Sequence, residues 1–308
     1  MHTRKHKSSL TTITHLVSIT TLIILNICTA RAHAATTKEA PHIRIAILPC
    51  ADIVKTYTKY QPLKIYLQQY LHQKIEILVP SSFQEFKRII ITGEAEFAFQ
   101  APHAYITLAN QYEKTNLLKS LTPQGASEHH GVIVTRKDSG IKSIADLSGK
   151  NFLFGHLYST TKWVAAKSLL KEKGIDLNNN LKNYAHGNSC ESIAMNVYLR
   201  QYDAGAICDY AFDEITENTN AKDDEIPPDG LIVIGSTWEI PTWVFATRKG
   251  VNQQTSTMVT DTLLGLNKQK PAHAKILKEL DVGGFTEAQD SDYESLRKVL
   301  NTSGSTQQ

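Results

Sequence analysis

Net charge is the first thing this chain has little of. Its 308 residues carry 33 Lys and Arg against 30 Asp and Glu, a formal balance of +3. Part of that surplus, Arg4, Lys5 and Lys7, sits at the extreme N-terminus. No basic stripe interleaved with aromatics follows, so charge gives no reason to expect a nucleic-acid partner. The short signatures of common catalytic sites are also missing: there is no G-x-S-x-G, no H-E-x-x-H and no glycine-rich dinucleotide loop. His129-His130 has no second ligand pair at metal spacing and reads as surface near a chain crossing. Nothing implies a cofactor. Beyond the N-terminal segment no stretch approaches a membrane span. There is no internal repeat and no low-complexity block.

What is present is enough apolar material, 41% of residues, for a sizeable core and two domains. Residues 1–34 have the layout of an export signal. Arg4 to Lys7 form a charged start, Leu16 to Ile27 an apolar stretch, and Ala32-His33-Ala34 an A-x-A cleavage site. The apolar stretch is short for an uncleaved anchor. Cys28 raises lipid attachment as a rival, but Ile27 stands before it where a small residue is favoured. The expectation is an exported, periplasmic, monomeric protein.

The remaining chain alternates strand and helix patterns. Ile43 to Leu48 is a branched apolar run, followed by a helix opening at Tyr60-Gln61-Pro62. Lys74 to Val79 reads as a strand, and Pro80-Ser81-Ser82 caps a helix from Phe83 to about Thr92. Glu96 to Phe99, Gly131 to Arg136, Asp203 to Cys208, Leu231 to Gly235 and Thr242 to Thr247 read as further strands. The stretch from Gly250 onward reads as helices with a polar tail. Such alternation predicts an α/β protein with mostly parallel sheets.

One stretch carries the chemistry. Asn151 to Gly155 reads as a buried strand, Ser159-Thr160-Thr161 as a hydroxyl-rich turn, and Trp163 to Lys173 as a helix closed by Gly174. The first N–H groups of a helix lack partners and sit at its positive end, so this turn suits an anion. The plainer reading of any one hydroxyl is an N-cap.

Several segments, in order, resemble the phosphonate/phosphite/phosphate substrate-binding proteins of ABC transporters. They are Gly93-Glu94-Ala95-Glu96-Phe97-Ala98 with Pro102 and Tyr105; Ile144-Ala145-Asp146-Leu147-Ser148-Gly149-Lys150; Phe154-Gly155 with Ser159-Thr160-Thr161; Tyr202-Asp203-Ala204-Gly205-Ala206; and Ile240-Pro241. The resemblance implies a two-lobed, type II periplasmic-binding-protein fold with helices on both faces of each sheet and the ligand between the lobes. Residues 41–127 plus 241–308 would form lobe one and residues 128–240 lobe two, with crossings near Glu128 and Glu239. Ser159, Thr160, Thr161 and Tyr158 would meet a small oxyanion from lobe two, and Ser81, Ser82 and Tyr105 from lobe one. Asp209 is a further candidate, since an acid in this lobe can hold a ligand's ammonium group. The partner would be an ABC permease, or alternatively a sensor kinase.

The departures from that pattern centre on sulfur. The family presents a His before the helix near Glu191, whereas this chain has Cys190, with His186 out of register. The loop also has Lys162 in place of the usual Gly. In such a fold Cys50, Cys190 and Cys208 would all point towards the cleft. One expectation is a Cys190–Cys208 disulfide with a leftover thiol. A second reading is a sensor whose three thiols bind arsenite or a soft metal ion. A third, a thiol-dependent enzyme pairing Cys190 with His186, is disfavoured because Gly187-Asn188 break the helix that would align them.

Overall fold

The structure, a computed structural model, describes residues 42–49, 52–220, 222 and 225–302. The expected export signal, Cys28 and Cys50 lie outside the described residues.

Two sheets organise the chain. The first contains β1 (His42–Ile47), β2 (Lys74–Leu78), β3 (Phe97–Gln100), β4 (Leu117–Leu121), β12 (Val244–Thr247) and β13 (Gly284–Ala288), in the order β13-β4-β12-β3-β1-β2. Side chains alternate across a strand, and β1 uses both faces. Ile43, Ile45 and Ile47 pack with helices α1 (Ile53–Leu71), α7 (Gln253–Leu264) and α8 (Pro271–Leu280). Ala46 and Leu48 pack on the opposite face with α2 (Phe83–Thr92) and α3 (Pro102–Leu108).

The second sheet contains β6 (Gly131–Arg136), β7 (Asn151–Phe154), β8 (Asn183–His186), β9 (Ala204–Cys208) and β10 (Leu231–Ser236), in the order β10-β6-β9-β7-β8. Phe152 and Phe154 join the core under α4 (Ala166–Glu172). Leu153 faces the other way, with Ile193 of α5 (Cys190–Tyr198). Helix α6 (Asp209–Glu217) follows β9 directly, and α9 (Glu294–Thr302) ends the described chain. Among the described residues no helix is long and apolar enough to cross a membrane.

A small antiparallel ribbon, β5 (Glu128–His129) with β11 (Ile240–Pro241), lies where the chain passes from the first sheet to the second and back. Its register sets Ile240 opposite His129.

Three expectations need correction. The sheets are mixed instead of mostly parallel. Pairs β1–β2, β1–β3, β7–β8 and β7–β9 are parallel, but β12 runs antiparallel to both β3 and β4 because it re-enters after the second sheet is complete. The first helix starts at Ile53, capped by Asp52, and runs through Pro62. Its Pro62 removes one ladder bond without ending the helix, since Tyr60, Leu63, Tyr66 and Leu67 are buried along it. The region after Gly250 holds a strand, β13, paired along its length with β4. The GFTEA sequence of that strand is too polar to announce itself locally.

Candidate ligand-binding site

Between the two sheets lies a cavity of about 250 Å³. Its walls come from both halves and from the ribbon. The first half supplies Lys59 and Tyr60 of α1, the Ser120–Pro123 strand end, Trp243, and Asp281 just past α8. The second supplies His156, Ser159 to Lys162, Asn188 to Glu191, Cys208 and Tyr210. His129 and Pro241 come from the ribbon.

The hydroxyl turn is the most constructed part. Residues Thr160–Ala165 form a wide turn in which the Val164 N–H reaches back five residues to the Ser159 carbonyl at 3.2 Å. Wide turns of this kind are uncommon and cluster at functional positions. Ser159 is the N-cap, its Oγ accepting from the Lys162 N–H at 3.0 Å. The turn is held close to β7 by the Gly155 N–H, which donates to the Lys162 carbonyl at 3.0 Å. A Cβ at residue 155 would stand 2.3 Å from Lys162 Cβ, so glycine is required there. The helix-start reading was therefore right in place and wrong in geometry.

Two histidines pin the next two hydroxyls. Thr160 Oγ1 accepts from the His103 backbone N–H at 3.1 Å and lies 3.1 Å from His103 Nδ1. The direction of the second contact is set by the imidazole tautomer, since a hydroxyl can accept twice or accept once and donate once. Thr161 Oγ1 lies 2.8 Å from His129 Nε2. Both threonines are buried. Burial also holds both imidazoles neutral, each pulled down to about 4. For His129, Asp209 pulls back upward and His130 pushes further down, both less than burial. His129 Nδ1 is buried with no hydrogen-bond partner among the described residues. His129 is thus a cleft residue and not the surface histidine that its sequence context suggested.

The rest of the wall carries balanced charge. Lys59 is lowered by burial, against the pull of Asp281 and Glu191. Asp281 is raised by burial, against Lys59. Lys162 Nζ donates to the Asn188 carbonyl at 2.7 Å.

Several expected site residues are engaged elsewhere. Tyr105 is fully buried and donates to Asp290 Oδ1 at 2.8 Å, away from the cavity. Ser82 caps α2 by accepting from the Glu85 N–H, and Ser81 donates to Glu85 Oε2 at 2.6 Å. Asp209 accepts from the His130 N–H at 2.9 Å and so ties α6 to β6. Tyr158 packs its ring at a tilt against Phe83, 5.2 Å between centroids, joining the two halves beside the cleft without lining it. Cys190 and Cys208 do line it, as free thiols without the expected disulfide. No group of three or more His, Cys, Asp or Glu among the described residues could hold a metal ion. Sequence reasoning missed His129, Lys59, Trp243 and Asp281. No local pattern joins them, because they meet only through the fold.

A family model described as the periplasmic substrate-binding protein of phosphonate ABC transporters matches residues 45–293. The chain is similar to the phosphate-import protein PhnD of Mycolicibacterium smegmatis, 23% identical over 292 residues, covering 85% of this chain and 86% of that one. In structure it is similar to a binding-protein component of an ABC phosphonate transporter from Pseudomonas aeruginosa. The TM-score there is 0.70 at 15% identity, over 87% of this chain and 88% of that one. PhnD1 from Prochlorococcus marinus, solved in complex with methylphosphonate, gives a TM-score of 0.70 at 13% identity, over 85% and 98%. These likenesses establish the type II binding-protein fold.

Proposed function

We propose, from the premise that the chain belongs to the family of phosphonate-type periplasmic substrate-binding proteins of ABC transporters, that its cleft captures a small phosphorus oxyanion and delivers it to a permease. The observation that carries this reading is the Ser159-Thr160-Thr161 turn, with both threonines buried, which lines the cavity at the start of a helical segment. The Thr160 and Thr161 N–H groups precede the first bonds of that segment, which begin with the Lys162 N–H on Ser159 Oγ, and they sit at the positive end of the backbone dipoles. A tetrahedral oxyanion accepts from such donors at several oxygens at once. In this reading His129 Nε2–H donates to Thr161 Oγ1, which leaves the Thr161 hydrogen for the ligand, and the open Nδ1 accepts from a protonated ligand oxygen. Lys59 and Lys162 add positive charge from opposite walls.

Residues 41–127 plus 241–308 act as lobe one and 128–240 as lobe two. The β5–β11 ribbon is the hinge about which they close, because only two residues of each strand pair there. The protein works as a monomer, without a catalytic cycle, after removal of an N-terminal signal. Nothing in the comparisons or the site favours the arsenite or soft-metal sensor.

Titration calorimetry on the reduced protein with methylphosphonate, phosphate, phosphite and sulfate tests this. One phosphorus oxyanion binds, and Thr161→Val weakens it about 10- to 100-fold, the loss of a hydrogen bond to a charged group. Undiminished affinity in Thr161→Val, or binding of none of the phosphorus oxyanions, refutes the assignment.

A further inference from the structure

Two thiols stand side by side on the cleft wall, and anion capture does not use their chemistry. Cys190 is the first residue of α5, and Cys208 is the last of β9, directly before α6. The Cys208 N–H donates to Cys190 Sγ at 3.1 Å, and the two side chains hydrogen-bond each other. They are 6% and 5% exposed, and both line the cavity, so the cleft is the route by which a reagent meets them.

The two sulfurs are not equivalent. The hydrogen bond from Cys208 lowers the Cys190 thiol, Lys162 assists, and burial opposes. The same hydrogen bond raises Cys208 well above the usual thiol range, and burial adds to it. Of the two, Cys190 is therefore the sulfur that gives up its proton more readily. The thiolate is the attacking form in exchange with a disulfide, so the neighbour completes the second step once it has given up its proton.

We infer that Cys190 and Cys208 form a reversible dithiol–disulfide site in the ligand cleft, with Cys190 as the attacking sulfur, oxidised by small disulfides and shielded by bound ligand. The shielding rests on the oxyanion reading of the cleft, and the disulfide does not. In the first step Cys190 sulfur attacks one sulfur of the small disulfide, forming a mixed disulfide and releasing one thiolate. In the second, Cys208 loses its proton to solvent and attacks Cys190 sulfur, releasing the second thiol. Two protein thiols are oxidised to one disulfide, and one small disulfide is reduced to two thiols. Closing that bond draws the start of α5 towards the end of β9. β9 is the fixed side, because it is paired on both edges with β6 and β7. Ser189 and Glu191, which flank Cys190 on the cavity wall, move with it.

The test treats the whole reduced chain, freed of reductant, with 2-hydroxyethyl disulfide, then maps the peptides without reduction. The expected product is a cross-linked peptide pair containing Cys190 and Cys208. In Cys208→Ser the reaction stops at a mixed disulfide on Cys190, while in Cys190→Ser the adduct on Cys208 forms at least about tenfold more slowly. Saturating methylphosphonate slows oxidation of the wild type several-fold. The wild-type peptide map decides the pairing whether or not the variants fold. No cross-link, a cross-link through Cys50, or equally fast adduct formation on Cys208 alone overturns the site. An unchanged rate with methylphosphonate demonstrably bound overturns the shielding. If methylphosphonate fails to bind the reduced protein while the cross-link still forms, the oxyanion reading and the shielding fail and the dithiol stands.

Discussion

Acid should loosen this protein through the two histidines that pin the anion turn. His103 and His129 are each held at about 4, whereas an unfolded histidine titrates near 6.5. The folded form therefore binds fewer protons than the unfolded form between those values. Stability is fully present above about 6.5 and is lost as pH falls towards 4. At pH 5 the deficit is about 2 kcal/mol per ring, from 1.36 kcal/mol per pH unit over about 1.5 units. Both rings keep some contact with solvent, which softens the desolvation to about 1 kcal/mol each, or about 2 kcal/mol together. Asp281 and Glu214 work in the opposite direction, since burial raises both and the folded form takes up their protons first. The comparison must therefore be with a matched variant. His103→Asn and His129→Gln keep a hydrogen-bonding amide near each threonine hydroxyl and cannot titrate. Urea melts at pH 7, 6 and 5 give the free energies by linear extrapolation. The wild type should lose about 2 kcal/mol more than the double variant on going from pH 7 to 5. Parallel losses in the two proteins would refute the claim that buried neutral imidazoles support the turn.

Two further outcomes follow from the packing. Gly155→Ala should cost about 1–3 kcal/mol and weaken ligand capture, because its methyl must displace Lys162 Cβ and with it the hydroxyl turn; denaturant melts and calorimetry read the two effects. Tyr105→Phe should leave ligand affinity unchanged while lowering stability by about 1–2 kcal/mol, since the lost hydroxyl bonds Asp290 and not the cleft.

Local pattern carried much of the architecture. β1, β6 and β9 are dominated by small and branched apolar residues, β9 buried throughout and the other two at most positions, and their signal does not depend on context. Ser82, Ser159 and Ser189 each stand at a helical start and behave as caps there. What failed was whatever depends on distant partners. Polar β13 is a strand because β4 offers it an edge. Tyr105 sits in a motif that suggested ligand contact, yet α3 aims it at Asp290, which arrives 185 residues later in the chain. The wide turn at Thr160 depends on the close approach of Gly155 to Lys162. His129 read as surface because its neighbours Glu128 and His130 are polar, but the ribbon turns its ring onto Thr161. The thiol pair was visible as two cysteines in one half of the molecule. Their unequal acidity was not, since it follows from which sulfur receives the other's hydrogen bond.

The place of β12 has a consequence for how the molecule is made. It lies in the interior of the first sheet, between β3 and β4, yet it is synthesised after every strand of the second sheet. Until residue 247 has emerged, β3 and β4 each present an unpaired edge where β12 will dock. The second sheet is continuous in sequence, from Gly131 to Ser236, and closes its own core without waiting. The nascent protein is thus half assembled and half gaping, with Phe97 and Phe99 lacking Phe245. Long-range closure is slow, and open strand edges invite pairing with other chains. Chains truncated before β12 should therefore be the aggregating species, and a holding chaperone would act on the first sheet rather than on the second.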